Sequence, residues 1–322
     1  MSRDVLVVVE HLEGRVADVS FEMLGKSREL ARAGDGRVVA VVIGEDVKAL
    51  GAELGAADTV LLCQDPSLAH YTPEAHQRAL AEILRARHPR VTLIANTAMG
   101  MDLAAGLSGA LGWPLVAYCR DARLDGGRLV ATSQIYGGKI LAEAEVDGDR
   151  ALLSMLPGSF PAEAGRVTGQ PALEEVAAPV VPARVRFKRL IRPEGGDVDI
   201  TREAVLVSVG RGIQSRNNLP MVEELAEALG GALSASRPIV DQGWLPKTRQ
   251  VGKSGLTVKP KLYVAVGISG APEHLEGMRG AELIVAFNTD PNAPIFTVAH
   301  YGVVSDLFDV LPPLTEKIKA AK

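Results

Sequence analysis

Short, nearly continuous apolar runs punctuate the first third of the chain, at residues 5–9, 38–43, 59–62 and 91–95, each rich in Val, Ile and Leu. Such runs fit strands buried on both faces of a parallel sheet better than half-exposed, alternating ones. Between the last two, Thr72-Pro73-Glu74 signals a helix start. It combines a capping hydroxyl, a proline at the first helical position and an acid near the positive end of the dipole. Leu80, Ile83 and Leu84 then share one helical face. Strands alternating with amphipathic helices predict a doubly wound α/β domain with a parallel sheet.

Residues 127–156 hold shorter strand-like segments, and the stretch that follows carries Pro157, Pro161, Pro171, Pro179, Pro182 and Pro193. That proline density predicts an extended connector with a boundary near 193–200, dividing a domain at 1–195 from one at 196–322. A second α/β pattern begins at Ala204. It predicts strands at 205–209, 262–266, 283–287 and 295–298, with Gly210-Arg211-Gly212 as a tight turn. Asn218-Leu219-Pro220 caps a helix whose Val222, Leu225, Ala226 and Leu229 form the apolar face. The tail at 306–322 reads as a short helix interrupted by Pro312-Pro313. The fold class is thus α/β, with two doubly wound parallel-sheet domains, the C-terminal one Rossmann-like.

Composition narrows the function. A length of 322 residues suits two domains, and 47% hydrophobic with 23% charged residues argues against wholesale disorder. A formal net charge of −4 disfavours nucleic acid as a partner. The longest apolar run is far too short to span a membrane, and the N-terminal run is too short for a signal-peptide core. Cys63 and Cys119 are isolated, which predicts reduced thiols in a cytoplasmic protein and no metal centre.

The candidate chemistry lies mostly in the C-terminal third. After the first strand, Val9-Glu10-His11-Leu12-Glu13 offers carboxylates where a dinucleotide site needs bare N–H groups, so the first domain resembles a nucleotide fold without its nucleotide. Gly210-Arg211-Gly212 opens a dinucleotide fingerprint but lacks the third glycine, since position 215 is Ser. Arg211 is a cation placed to meet a pyrophosphate. The 251–255 segment, Val-Gly-Lys-Ser-Gly, is not a P-loop because position 247 is Lys, although its glycines leave ligand contact open. Gly267-Ile268-Ser269-Gly270-Ala271 cannot be a nucleophile elbow with Ala at 271. It reads instead as a phosphate-binding turn, with Pro272 opening a helix that carries His274. Ser236-Arg237-Pro238, Asn288 and Asp306 lie just past expected strand ends. No nucleophile or substrate-directed acid–base pair emerges, so no catalytic residue is assigned.

Together these segments resemble the C-terminal domain of the electron transfer flavoprotein alpha subunit. The similarity runs through VSVGRG, SASRPIVDQGWLPKTRQVG, KLYVAVGISGAPEHLEGM and VAFNTDPNAPIFTVAHYGVVSDLFDVLP, covering nearly all of 204–312. The first domain is similar more loosely, through VLVVVEH and SQIYGGKILAE. The resemblance implies a bound FAD, a beta subunit completing a heterodimer, and electron shuttling from dehydrogenases such as the acyl-CoA dehydrogenases of fatty acid β-oxidation to a quinone-linked oxidoreductase. It places cofactor contacts at Arg211, Ser236, Arg237, Gln250, Val251, Gly252, Lys253, Ser254, Ser269, Gly270, Ala271, Pro272, Glu273, His274 and Asn288, with Asp306 and Leu307 near the adenosine end. His274 and Arg237 would favour negative charge at the N1–C2 edge of the ring, and Ser254 would face N5. Lys253 and Glu273 stand where the family commonly has glutamine, and Leu256 where it often has lysine. The lysine would favour a reduced, anionic ring and the glutamate would oppose it.

Two other readings compete with this one. A self-contained FAD- or NAD-dependent oxidoreductase would need a proton-transfer residue, for which His274 is the visible candidate. A non-catalytic nucleotide-sensing subunit would carry an adenine nucleotide and no flavin.

Overall fold

The computed structural model describes residues 2–178, 184–190 and 198–321. Its contacts divide the chain into two compact units, 1–189 and 190–322. Pro179, Pro182, Pro193 and the expected 195/196 boundary lie outside the described residues.

Unit 1 contains β1 (Val5–Val8), α1 (Asp18–Gly34), β2 (Val38–Gly44), β3 (Thr59–Gln64), α2 (Pro73–Arg87), β4 (Val91–Ala95), α3 (Ala98–Leu111), β5 (Leu115–Asp125), β6 (Arg128–Ile135), β7 (Ile140–Val146), β8 (Ala151–Met155) and β9 (Ala172–Val176). The strands form one sheet in the order β9-β3-β2-β1-β4-β8-β5-β6-β7. Pairing is parallel from β9 to β5 and antiparallel through the β5-β6-β7 meander. The meander is an addition to the purely parallel sheet expected from sequence. It is possible because β6 and β7 follow β5 through tight turns, at Gly126-Gly127 and Gly137-Gly138, whose φ values are positive.

The central strands β1 and β4 are buried along their whole length, matching their continuous apolar runs. One face packs on α1 through Phe21, Met23, Leu24 and Leu30, the other on α2 and α3 through Leu80, Leu84, Leu103 and Leu107. The helix at Thr72 starts where expected, but the Thr72 hydroxyl makes no capping bond and is buried without a partner. The backbone N–H of Thr72 instead donates to Nδ1 of His76, at 3.3 Å. The connector reading of 157–196 also needs correction: residues 172–176 form a parallel edge strand on β3. Four of its five residues are exposed, so it lacks the buried-strand signature.

Unit 2 contains β10 (Val205–Val209), α4 (Leu219–Leu229), β11 (Ala232–Ala235), β12 (Leu262–Val266), α5 (Pro272–Met278), β13 (Leu283–Asn288), β14 (Tyr301–Val304) and α6 (Leu307–Ala320). Its sheet is wholly parallel in the order β11-β10-β12-β13-β14. This is the five-stranded doubly wound order, in which the direction of winding reverses between β10 and β12. One face is covered by α4 and α6 through Val222, Leu225 and Leu311; α5 and the 251–258 segment cover the other through Leu275, Met278 and Val258.

Three local expectations differ. Residues 294–297 form a 3₁₀ turn rather than a strand, because Pro294 opens a helical turn, and the last strand comes later at Tyr301–Val304. Asn218 precedes α4, but its side-chain amide donates back to the Ile213 carbonyl at 2.9 Å instead of capping. The tail helix runs continuously through Pro312 and Pro313. Leu311 is fully buried and the Thr315 hydroxyl bonds to its carbonyl at 2.8 Å, so packing holds the helix together across the two prolines.

Candidate functional site

In a parallel sheet every strand ends at the same edge, and ligands collect there, in the crevice where the winding reverses. Unit 2 brings all the expected cofactor positions to that edge. Arg211 follows β10, Ser236 and Arg237 follow β11, residues 269–274 follow β12, Asn288 ends β13, and Asp306 and Leu307 follow β14. The 250–254 loop joins them because Gln250 bridges to Ala235, and the Val251 N–H donates to the Ala235 carbonyl at 2.9 Å.

The two glycine turns meet at the reversal point. The N–H of Gly210 donates to Val266 O at 2.8 Å, and that of Gly212 to Gly267 O at 3.0 Å. A Cβ on Gly210 would lie 2.3 Å from the Gly267 oxygen, and one on Gly212 would lie 2.6 Å from Gly267 Cα. Two of the amides expected to serve a phosphate are therefore spent on fixing the crevice. The amides of Ser269, Gly270 and Ala271 have no protein acceptor among the described residues, and neither has the exposed Arg211 side chain. The second turn is held from behind: the Asn288 side-chain amide donates to Ile268 O at 2.9 Å, and Ile295 N–H donates to Ser269 O at 3.0 Å. Gly270 has φ +85, and a Cβ there would fall 2.2 Å from Ile295 N. Only glycine fits that approach.

Several expected contact residues have protein partners of their own. Both ends of the Asn288 amide are engaged, since its Oδ1 accepts from Asp290 N at 2.9 Å. Asp306 caps α6 through Phe308 N at 3.0 Å, and the Leu307 side chain is in the core. Arg237 is exposed and pairs with Asp241 at 3.2 Å. Ser236 is buried at the start of the short helix Arg237–Asp241. Gln250 is buried, and its amide donates to the exposed Ser254 hydroxyl at 3.0 Å.

The loop and α5 are tied together by their main chains. Lys253 N–H donates to Glu273 O at 2.7 Å, and a Cβ on Gly252 (φ +133) would meet that oxygen at 2.8 Å. The main chains of Lys253 and Glu273, two of the three residues that depart from the expected family pattern, are thus directly bonded. Ala271, Pro272 and Glu273 are exposed, whereas His274 is buried. The His274 Nε2 pairs with the hydroxyl of the fully buried Tyr263 at 2.9 Å, and its Nδ1 is buried without a hydrogen bond. Burial lowers the imidazole pKa to about 4, against a smaller opposing effect of the Val251 main chain, so the ring is neutral. The sequence expectation of an edge favouring negative charge therefore concerns a neutral imidazole at His274 and not a cation. The Tyr263 link was not legible in the sequence, because it forms only once α5 folds back over the sheet.

The corresponding crevice of unit 1, between β1 and β4, is filled by protein. The buried Glu10 carboxylate accepts from the Thr97 hydroxyl at 2.5 Å, and Thr97 caps α3 through Gly100 N at 3.0 Å. Burial raises the Glu10 pKa, with the Thr97 bond opposing. Among the described residues no cluster suits a metal ion, and no helix is long and apolar enough to cross a membrane.

Unit 2 therefore offers free amides, an unpaired arginine, a glycine-walled crevice and an orphaned buried imidazole nitrogen at one sheet edge. That donor set fits an anionic dinucleotide with a polar ring. Comparison with known proteins agrees. Residues 5–181 match the model of the electron transfer flavoprotein domain, and residues 199–279 that of the electron transfer flavoprotein FAD-binding domain. The chain is 34% identical over 321 residues to the electron transfer flavoprotein subunit alpha of Bacillus subtilis, covering 99% of this chain and 98% of that one. It is 38% identical over 326 residues to the subunit of that name from Thermoanaerobacterium thermosaccharolyticum, with 99% of each chain covered. Protein FixB of Rhizobium meliloti is 37% identical over 332 residues, covering 98% of this chain and 92% of its own.

Proposed function

We propose an electron-carrier role for this chain, which belongs to the electron transfer flavoprotein alpha-subunit family and takes FAD as its cofactor. In this reading it works in the cytoplasm as one half of a heterodimer with a beta subunit. The pair accepts electrons from dehydrogenases, acyl-CoA dehydrogenases among them, and delivers them to a quinone-linked oxidoreductase. The name "subunit alpha" carried by its relatives supports the heterodimer.

FAD, when bound, supplies the ring that takes and gives electrons. Arg211 and the amides of Ser269, Gly270 and Ala271 would offset the pyrophosphate charge. His274, with Arg237, would favour negative charge on the ring, Ser254 would offer it a hydroxyl, and Asp306 would serve the adenosine end. Gln250 sets the Ser254 hydroxyl, and Asn288 holds the 267–271 turn in shape. The observation that carries the reading is the convergence, at one sheet edge, of the free amides of Ser269, Gly270 and Ala271 with the unpaired Arg211 side chain.

The test is anaerobic. The chain purified with its beta partner is mixed with a substrate-reduced acyl-CoA dehydrogenase, then with a quinone-linked acceptor. The expected result is bleaching of the flavin bands, then their return, with no turnover of the acyl substrate by the pair alone. A heterodimer that itself oxidises a small substrate, and loses that activity on His274→Ala, would favour a self-contained oxidoreductase instead.

A further inference from the structure

Between β10 and α4 the chain turns twice within a few residues. Arg211–Ile213 form a 3₁₀ turn, closed by the Gln214 N–H donating to Arg211 O at 2.9 Å. Gln214 itself sits at φ 66 and ψ −42, and the Ser215 N–H donates across it to Ile213 O at 2.7 Å. That is the γ-turn of positive φ, a rare and strained conformation. Asp35 and His88 also have positive φ, but they close α1 and α2 with ψ at 37 and 47, in the ordinary left-handed well.

The surroundings hold Gln214 in this state. On one side, Ile213 is fully buried in the cluster of Leu219, Val222 and Leu225, and the Gly212 N–H is bonded to Gly267 O at 3.0 Å. On the other, the Asn218 side chain donates to the same Ile213 carbonyl at 2.9 Å. The fold needs this turn but not this side chain, because glycine reaches positive φ without strain. The crevice already uses glycine at 210, 212, 267 and 270, yet position 214 carries glutamine. The Gln214 side chain is exposed and makes no hydrogen bond among the described residues. It therefore gives the fold nothing in return for the strain, and strain retained in that way marks a functional position.

We propose that Gln214 is a further cofactor contact: the strained turn presents its carboxamide, together with Arg211, as a neutral donor to the anionic dinucleotide. The two residues are bonded through their main chains, and their loop stands at the sheet edge that gathers the free amides of Ser269, Gly270 and Ala271. A carboxamide brings two N–H donors without adding charge to a site that already has a guanidinium. The identity of the ligand rests on the proposed function, whereas the strained turn stands on geometry alone.

The test separates strain from contact. FAD dissociation constants are measured by flavin fluorescence on the full chain co-purified with its beta partner. Urea midpoints are measured without FAD on the full chain in a Trp113→Phe background, read from Trp244, the one tryptophan of unit 2. Gln214→Ala keeps the strain and removes the amide, so the midpoint should hold while the dissociation constant rises about tenfold. Gln214→Gly removes both. It should show the same weakening with a higher midpoint, the relief exceeding the extra unfolded-state entropy of glycine. Gln214→Glu should bind FAD more weakly than either, and Gln214→Lys more tightly than the parent at low salt, a gain that fades as salt is added. A Gln214→Gly midpoint no higher than that of Gln214→Ala would mean an unstrained turn. An FAD-loaded parent whose affinity is unmoved in all four variants would exclude the contact. Either result overturns the proposal and leaves the functional reading intact. A parent that releases no FAD on heating refutes the functional reading itself, and the proposal falls with it whatever the midpoints show.

Discussion

Replacing Gly210 with alanine probes the crevice most sharply. The Gly210 φ of −115 is open to any residue, so the penalty is steric and not conformational. The new Cβ would stand 2.3 Å from Gly267 O and 2.8 Å from both Gly267 C and Ile268 Cα. All three atoms lie within a turn that is bonded on both sides, so relief requires a shift of about 1 Å. That shift strains two bonds, Gly210 N to Val266 O at 2.8 Å and Gly212 N to Gly267 O at 3.0 Å. Each is worth about 1 kcal/mol net, or roughly 1–3 if a buried group is left unpaired. The expected loss is about 2–5 kcal/mol in unit 2, together with lowered FAD retention. Each unit carries one tryptophan, Trp113 or Trp244. Urea unfolding read from Trp244 in a Trp113→Phe background therefore isolates the change. Gly109→Ala, read from Trp113 in a Trp244→Phe background, is the control: nothing lies within 4 Å of its Cβ, and in α3 it should be neutral or stabilising by up to about 1 kcal/mol. A Gly210→Ala chain within about 0.5 kcal/mol of the parent, with full flavin, would refute the steric reasoning.

Acid should weaken both units. Burial holds His76 and His274 at about 4, below the unfolded value of about 6.5. The unfolded chain then binds more protons between those values, so the stabilisation is present above about 6.5 and is lost as pH falls toward 4. Urea midpoints should drop from pH 7 to 5, and His274→Gln should flatten the slope of the Trp244 signal alone. Lys253→Gln should lower the flavin midpoint potential in a redox titration and Glu273→Gln should raise it; the double variant should return close to the parent, and shifts of one sign would contradict the opposed roles. Cys63 and Cys119 should resist thiol reagents at pH 8 until urea is added, because burial pushes their thiols up to about 11 and about 12.

Legibility followed burial. The run at 91–95 is a strand to the residue, because a strand covered on both faces leaves an unbroken apolar signature. The edge strand at 172–176 stayed hidden, since Glu174 and Glu175 face water within a proline-rich stretch. The segment at 295–298 is apolar enough for a strand, but Pro294 turns it into a 3₁₀ buttress for the 267–271 turn. The gathering of the expected positions at one sheet edge was legible because glycine turns and strand ends are local signals. Their division of labour was not: whether an amide faces a ligand or a carbonyl, as at Gly210 and Gly212, depends on which turn lies across the crevice. The partner of His274, Tyr263, comes from β12 and meets it only once α5 folds back over the sheet.

Everything rests on what the C-terminal unit holds. The decisive measurement is the absorption spectrum of the ligand released by heat from the chain purified with its beta partner. Flavin bands from FAD, lost together with the Arg211 side chain in Arg211→Ala, are the expected result. An adenine band with no flavin bands would contradict the account and make the chain a nucleotide-sensing subunit instead.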